Sequence, residues 1–482
     1  MSNEAQAISP AEMSSHKTIE RIAASLAAIL ILLAPALWNG FPLLQFDTGG
    51  YIARWHEGTL EESRSTVYGL FLNAFEHADF WPAVLVQAAL TVWVLALVLR
   101  AHGWGGKPRI LLLTTALLTL LTTLPWLAGA LLTDIFAGLS VLALYLLVLR
   151  TNMLERWECG ALFLLIAFSA ATHSATLIVL LGLLAAGLLV ALFDRGLIRL
   201  SALAPGFVAL GAGAAMLVAA NYAVAGRLAW TPGGSALLFG RMLQAGIVAR
   251  YLHDHCPDPR FVLCAHRDEL PTNADDFFWG GSVFDRLGRF QALDDEMRTI
   301  AIESLEDYPW EQVTAAFEAT AEQLALVASG YGVHNEIWHT YGIIERFVPN
   351  ALPAMHKARQ QKGEIDFTAI NRVHLPVAWA SMLLLLGIIG LAIRSARFAD
   401  LGALAATAAL AILANAVVCG GISNPNDRYG ARMAWLAPFV LVLAGWRAIG
   451  RVSTQNQAVV KDLSELSREK RDLKATVVGK RY

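Results

Sequence analysis

The chain is poor in charge. Only 16% of its 482 residues are Asp, Glu, Lys or Arg, while 56% are hydrophobic; a soluble domain carries about 25% charged residues. So little polar surface excludes a soluble globular protein of this size, and apolar residues gathered into blocks exclude fibrous and disordered readings. Neither sign of charge dominates, with 37 basic residues against 39 acidic ones and a formal net charge of −2. A nucleic-acid partner would find no basic field to hold it. Some familiar signatures are missing as well. There is no H-E-x-x-H, no Gly-x-Ser-x-Gly and no Gly-rich phosphate loop. Gly211-x-Gly213 lies inside an apolar run, where small residues serve close helix packing.

What is present is a series of apolar segments, each about a bilayer thick. Ten can be marked, over 22–44, 81–99, 110–126, 131–149, 158–172, 175–193, 203–224, 373–393, 399–418 and 430–446. They predict an all-α fold, a polytopic transmembrane helix bundle. The stretch 158–193 is too long for one helix and short for two, so a tight hairpin is expected at Ala171-Thr172-His173-Ser174. One span plus a re-entrant piece is the alternative. The first run is too long for a signal peptide and no A-x-A-like site follows it, so it reads as a retained anchor.

Orientation follows from the basic residues of the connections. Lys17, Arg21, Arg100, Lys107, Arg109, Arg150, Arg156, Arg195, Arg199, Arg394, Arg397, Arg447 and Arg451 all fall on one side of a ten-span layout. The opposite turns near Leu127 and His173 carry no Lys or Arg. Both termini are thus expected in the cytoplasm, with the chain in a bacterial inner membrane. The layout divides the chain into four parts. Residues 1–225 form an N-terminal membrane domain with a first exoplasmic loop at 45–80. An exoplasmic segment at 226–372 follows, then the last spans at 373–448, and finally a charged cytoplasmic tail at 449–482 that touches anionic lipid.

The 226–372 segment holds 20 acidic and 13 basic residues, which suits the translocated side. Helical periodicity from Arg289 to Ser329, with Pro309 as a break or an N1 residue, predicts a helical lobe. Cys256 and Cys264 lie there, within a His-Asp-His-Cys-Pro…Cys-Ala-His pattern. The pair reads as a disulfide clasp in an oxidising compartment. The rival is a metal site from His253, His255, Cys256, Cys264 and His266, whose spacing matches no standard zinc pattern. Cys159 and Cys419 read as packing residues.

Ionisable residues at a membrane are costly and point to function. Asp47 follows the first span in Phe46-Asp47-Thr48-Gly49-Gly50-Tyr51, and Asp134 opens the fourth in Leu132-Thr133-Asp134. His173 stands at the predicted hairpin. Arg64 and Tyr68 belong to the first loop, and Asp427-Arg428-Tyr429 precedes the tenth span. The layout brings all of them to one interface. Each also has a plainer reading: Asp134 as a helix cap, His173 as a partner of turn backbone, Arg428 with Tyr429 as an interfacial anchor.

An Asp with a Tyr four residues later in a long first loop, then Arg-x-x-x-Tyr-Gly-Leu, then Thr-Asp opening the fourth span and Asp-Arg-Tyr before a late one: this order resembles the GT-C class of integral membrane glycosyltransferases. That class includes protein O-mannosyltransferases and lipid A aminoarabinose transferases. The likeness covers about 40–200 in arrangement, plus 420–446. It implies a polyprenyl-phosphate sugar donor, a glycan, lipid or protein acceptor, and Asp47 in the position of the catalytic base. The chain departs from the pattern in having Thr48 after Asp47 where many members pair two acids, and in carrying its long exoplasmic segment before the last three spans.

Such a transfer needs a base near the acceptor hydroxyl and cations on the leaving phosphate. Asp47 fits the first role, with Asp134 as a second catalytic residue that could orient it, while Arg64 and Arg428 fit the second. Tyr68, His173, Asp427 and Tyr429 complete the expected substrate-binding set, and Asp134 with His173 offers one option for a divalent cation. Alternatives stay open. One is a transporter or flippase of a lipid-linked or polar substrate, although such sites lie nearer the mid-plane. Others are a non-catalytic polysaccharide assembly subunit and a polysaccharide polymerase or ligase.

Overall fold

The computed structural model describes residues 10–450. Most of the tail predicted at 449–482 lies outside the described residues. Among the described residues all regular structure is helical, and the only pairing of extended backbone is two isolated bridges, Leu43 with Ala130 and Glu61 with Arg64. Six helices among the described residues are long and apolar enough to cross a membrane: Trp81–Trp104, Ser174–Phe193, Leu200–Ala225, Phe367–Arg394, Ala396–Ile422 and Asp427–Gly450. The chain is a helical membrane protein.

The other four predicted segments form shorter or interrupted helices. The first runs Pro10–Leu32, breaks, and resumes as Ala34–Asn39. Its ending is set by Gly40, which takes a left-handed φ of +84° and caps the turn. The third is the 14-residue helix Pro108–Leu121. The fifth, Arg156–Thr172, stops one residue before Ser174–Phe193 begins, with His173 extended between them, so the chain breaks where the hairpin was expected.

The fourth, Asp134–Leu149, has 16 residues, and every one from Asp134 to Leu147 is buried. A helix wrapped on all sides by protein must be apolar all round, which is why its sequence shows no amphipathic stripe. Neighbours close in on it directly. A Cβ added at Gly138 would meet the Trp435 ring at 2.6 Å, so the last helix lies flat against this central one.

A second hydrophobic core stands apart from the bundle, built by Phe239, Tyr251, Phe277, Phe284, Met297 and Ile300 among others. Its helices include Gly234–Gln244, Ile247–His255 and Arg289–Asp307. The periodicity read over Arg289–Ser329 resolves into two helices, because Pro309 starts a new one, Pro309–Ala325, at its first turn. Cys256 and Cys264 are joined in a disulfide. The rival metal reading is thereby overturned. Both thiols are consumed, His253 and His266 face Asp254 and Glu269 at 2.9 and 3.0 Å, and His255 lies 3.4 Å from Asp307.

Candidate functional site

Four remote stretches of chain meet at one end of the bundle. Asp47 is ion-paired to Arg64 through one carboxylate oxygen and to Arg428 through the other. Arg428 also donates from Nε to Asp134 Oδ2 at 2.6 Å. One turn on, Arg432 places Nη1 3.8 Å from Asp134 Oδ1 and 3.4 Å from His173 Nδ1. Three guanidinium groups therefore face two carboxylates, an excess of one positive charge. Access is graded. The side chains of Arg64, Asp47 and Arg428 are 18%, 15% and 10% exposed, whereas those of Asp134 and Arg432 are at 1% and 0%.

The Asp47 loop is fixed by backbone bonding from distant segments. Gln360 accepts from Leu44 N at 3.0 Å and donates to Leu44 O at 2.7 Å. Thr48 donates to Leu131 O at 3.1 Å and accepts from Gln45 N at 3.0 Å. Thr340 accepts from Gly49 N at 3.1 Å and lies 2.9 and 3.0 Å from the carbonyls of Gln45 and Phe46. The paired glycines make this closeness attainable. A Cβ at Gly49 would come within 2.7 Å of Thr340 Cα, and one at Gly50 within 2.9 Å of Glu61 Oε2 and 3.1 Å of Arg64 Cγ. Buried glycine here lets two neighbours approach the Asp47 backbone.

Arg64 follows a tight turn in which Ser63 adopts φ 60° and donates its N–H to Pro232 O at 2.9 Å. Ser65 then caps the helix Thr66–Asn73 and donates to Ala171 O at 2.8 Å, which ties this turn to the chain beside His173. Arg428 opens the last helix behind Asn426, whose side chain accepts from Arg428 N at 2.9 Å. Gln323 in turn clamps Asn426 through both its backbone groups, at 2.8 and 2.9 Å.

Electrostatics sharpen the picture. Burial pushes the Asp47 carboxyl upward, but Arg64 and then Arg428 overcome it and hold it at about 2. His173 is driven well below the usual histidine range by burial first and then by Arg432 and Arg428, so its ring is neutral. Asp134, at the first turn of its helix, also has its charge matched by the helix dipole.

Not every predicted residue joins the cluster. Tyr68 is fully buried and donates its hydroxyl to Gln87 Oε1 at 2.9 Å, with its ring edge-on to Tyr51. Asp427 turns its carboxylate to the Ala328 N–H at 2.8 Å, where it anchors a loop. Tyr429 lays its ring within 5.9 Å of the Arg428 guanidinium and 5.5 Å of that of Arg432. The option of a dication between Asp134 and His173 does not fit, because Arg432 occupies the space between them. Among the described residues no three His, Cys, Asp or Glu side chains gather as a metal site.

Three residues enter that the sequence reading did not select. Arg432 is the largest, held by Asn415 Oδ1 at 2.7 and 2.9 Å and by Cys419 Sγ at 3.1 Å. Its signal was available, as an arginine inside an apolar run, four residues beyond Arg428 and hence on the same helical face. Asn415 and Gln45 carry no such signal. Comparison with family models, with curated proteins and with solved structures finds no match for this chain.

Proposed function

We propose that the chain is a GT-C-like membrane glycosyltransferase that moves a sugar from a polyprenyl-phosphate donor to an acceptor on the exoplasmic side. One observation carries the reading: Asp47, Arg64, Asp134, Arg428 and Arg432 converge from remote parts of the sequence into a partly accessible cluster with one surplus positive charge. A phosphate entering it would take donors from Arg64 and Arg428, whose planar forks match its oxygens. That exchange loosens the two clamps on Asp47. Its carboxylate regains proton affinity just when the acceptor hydroxyl needs a base. Direct displacement by that hydroxyl would invert the anomeric carbon. Asp134 holds Arg428 in place, and neutral His173 is available to a sugar hydroxyl.

The reading includes ten spans, with the shorter helices completing the bundle, both termini cytoplasmic, and the lobe around residues 234–308 outside a bacterial inner membrane. It rests on the Lys/Arg bias of the connections and on a disulfide that requires an oxidising compartment. The test is Asp47→Asn in a purified, correctly folded chain supplied with a polyprenyl-phosphate sugar. Unchanged transfer would remove the mechanism. A second reading, a non-catalytic clamp that holds the bundle's end, is favoured by the pairing of both carboxylates with arginines. It predicts that Asp47→Asn lowers the melting temperature and changes no transfer.

A further inference from the structure

A cavity of about 490 Å³ lies between the helices Thr48–Glu57 and Trp338–Phe347, lined by Arg54, Glu57, Glu61, Trp338, His339 and Arg346 among others. That volume suits a small ligand. Its charge differs in kind from the Asp47 cluster. Arg54 is 3% exposed and is anchored to Gly50 O and Thr59 O, both at 2.7 Å. It pairs with Glu57 at 3.0 Å and with Glu61 at 2.8 Å. Arg346 stands 4.0 Å from Glu57. Two guanidinium groups and two carboxylates cancel, so an ionic ligand would have to break pairs to enter. A neutral ligand need not.

Two further features select its chemistry. Glu57 and Glu61, although paired with Arg54, keep side chains 32% and 30% exposed, which leaves carboxylate oxygen on the wall for a hydroxyl. Trp338 is 73% exposed at the cavity edge, its ring held edge-on by Tyr341 at 5.8 Å. Carboxylate and guanidinium oxygens and nitrogens in fixed pairs, beside an open aromatic face, match vicinal hydroxyls above a ring of C–H groups. The cavity also shares a wall with the candidate site. Thr340, in the same helix as Trp338, bonds the backbone on both sides of Asp47, and Glu61 bridges to Arg64.

We infer that this cavity is a binding site for a neutral saccharide, presented as acceptor to Asp47; the acceptor role rests on the transferase reading, while the binding does not. Isothermal titration of the full chain in detergent, with maltotriose, cellotriose, mannotriose and tri-N-acetylchitotriose as probes, tests it. At least one should bind with a dissociation constant of about 1 mM or tighter. Trp338→Ala should weaken that binding by about tenfold and Arg346→Gln by about threefold, whereas Trp157→Ala, at another exposed tryptophan, should leave it unchanged. Asp47→Asn should bind the saccharide as the parent does, so loss of transfer and loss of binding separate. Absence of binding by all four probes overturns the inference, as does binding indifferent to Trp338. Tighter binding of trigalacturonate, or of a Ser/Thr-rich peptide competing at Trp338, overturns it as well. Saccharide binding with transfer untouched by Asp47→Asn overturns the transferase reading alone.

Discussion

Two polar clusters are strung on the same three helices, one near each end. Asp134–Leu149 carries Asp134 in one and Tyr145 in the other; Ala396–Ile422 carries Asn415 and Cys419 in one and Asp400 in the other. Asp427–Gly450 carries Arg428 and Arg432 in one and Arg447 in the other, about 28 Å apart along the helix. In the second cluster Arg447 grips Asp400 with two parallel bonds, at 2.6 and 2.5 Å. His102 lies 3.2 Å from the same carboxylate and 3.0 Å from the Tyr145 hydroxyl, and Arg150 donates to that hydroxyl at 3.0 Å. Bidentate pairing of neighbours is a closed arrangement. At the Asp47 end each carboxylate oxygen instead holds a different arginine, and Arg428 is divided between two acids. Ions bound singly and shared can be re-partnered by an incoming phosphate; a fork matched to one carboxylate has little reason to open. On the proposed reading, the one cluster is a site and the other a fastener.

That distinction can be broken by mutation. Asp47→Asn is expected to lower kcat/KM for transfer by about a hundred- to ten-thousand-fold per folded molecule, beyond whatever the lost ion pairs cost in melting temperature, and Arg428→Ala by about a hundred- to a thousand-fold. Arg447→Ala should do the reverse, costing about 2 kcal/mol of stability while transfer per folded molecule stays near the parent value. Equal loss of activity from both ends would dissolve the contrast. Solubilised thermal denaturation beside a transfer assay measures the two effects.

A pH profile sharpens the same point. Asp47 has its folded value depressed to about 2 from an ordinary 3.8, so its contribution to stability is complete above 3.8 and is lost as pH falls through about 2. On the proposed transferase reading, the donor-free chain should therefore show no acid limb from Asp47 in kcat/KM at any pH where it stays folded. With donor bound and the arginines drawn away, an acid limb should appear in kcat at higher pH. Coincident limbs in the two profiles would mean that the phosphate never reaches Arg64 and Arg428. The smallest expected effect is Tyr68→Phe, which removes one buried hydrogen bond to Gln87 at a cost of about 1 kcal/mol and leaves transfer intact.

Much of this was legible in the sequence, and the rest was hidden for identifiable reasons. Apolar runs revealed the helical membrane class, and the His173 break was visible as a length mismatch. The 131–149 segment gave no hint that it is the buried centre, because an all-apolar run looks alike against lipid or protein. Asp47, Asp134 and Arg428 stood out as charges at predicted span ends, and Arg64 as one in the first loop. Tyr68 and Asp427 stood beside them in sequence, yet a residue's direction depends on the packing around it: Tyr68 points to Gln87 and Asp427 to Ala328. Asn415 and Gln45 are ordinary polar residues until the fold places an arginine next to them.

The bonds that pin the Asp47 loop come from Leu131, Thr340 and Gln360, and its second arginine comes from residue 428. A ribosome making the chain from its N-terminus delivers the carboxylate early and its supports late. The nascent polypeptide thus passes through most of its synthesis with that carboxylate present but unaimed. On the proposed transferase reading, donor lipid met during that interval would find no assembled machinery to squander it on water.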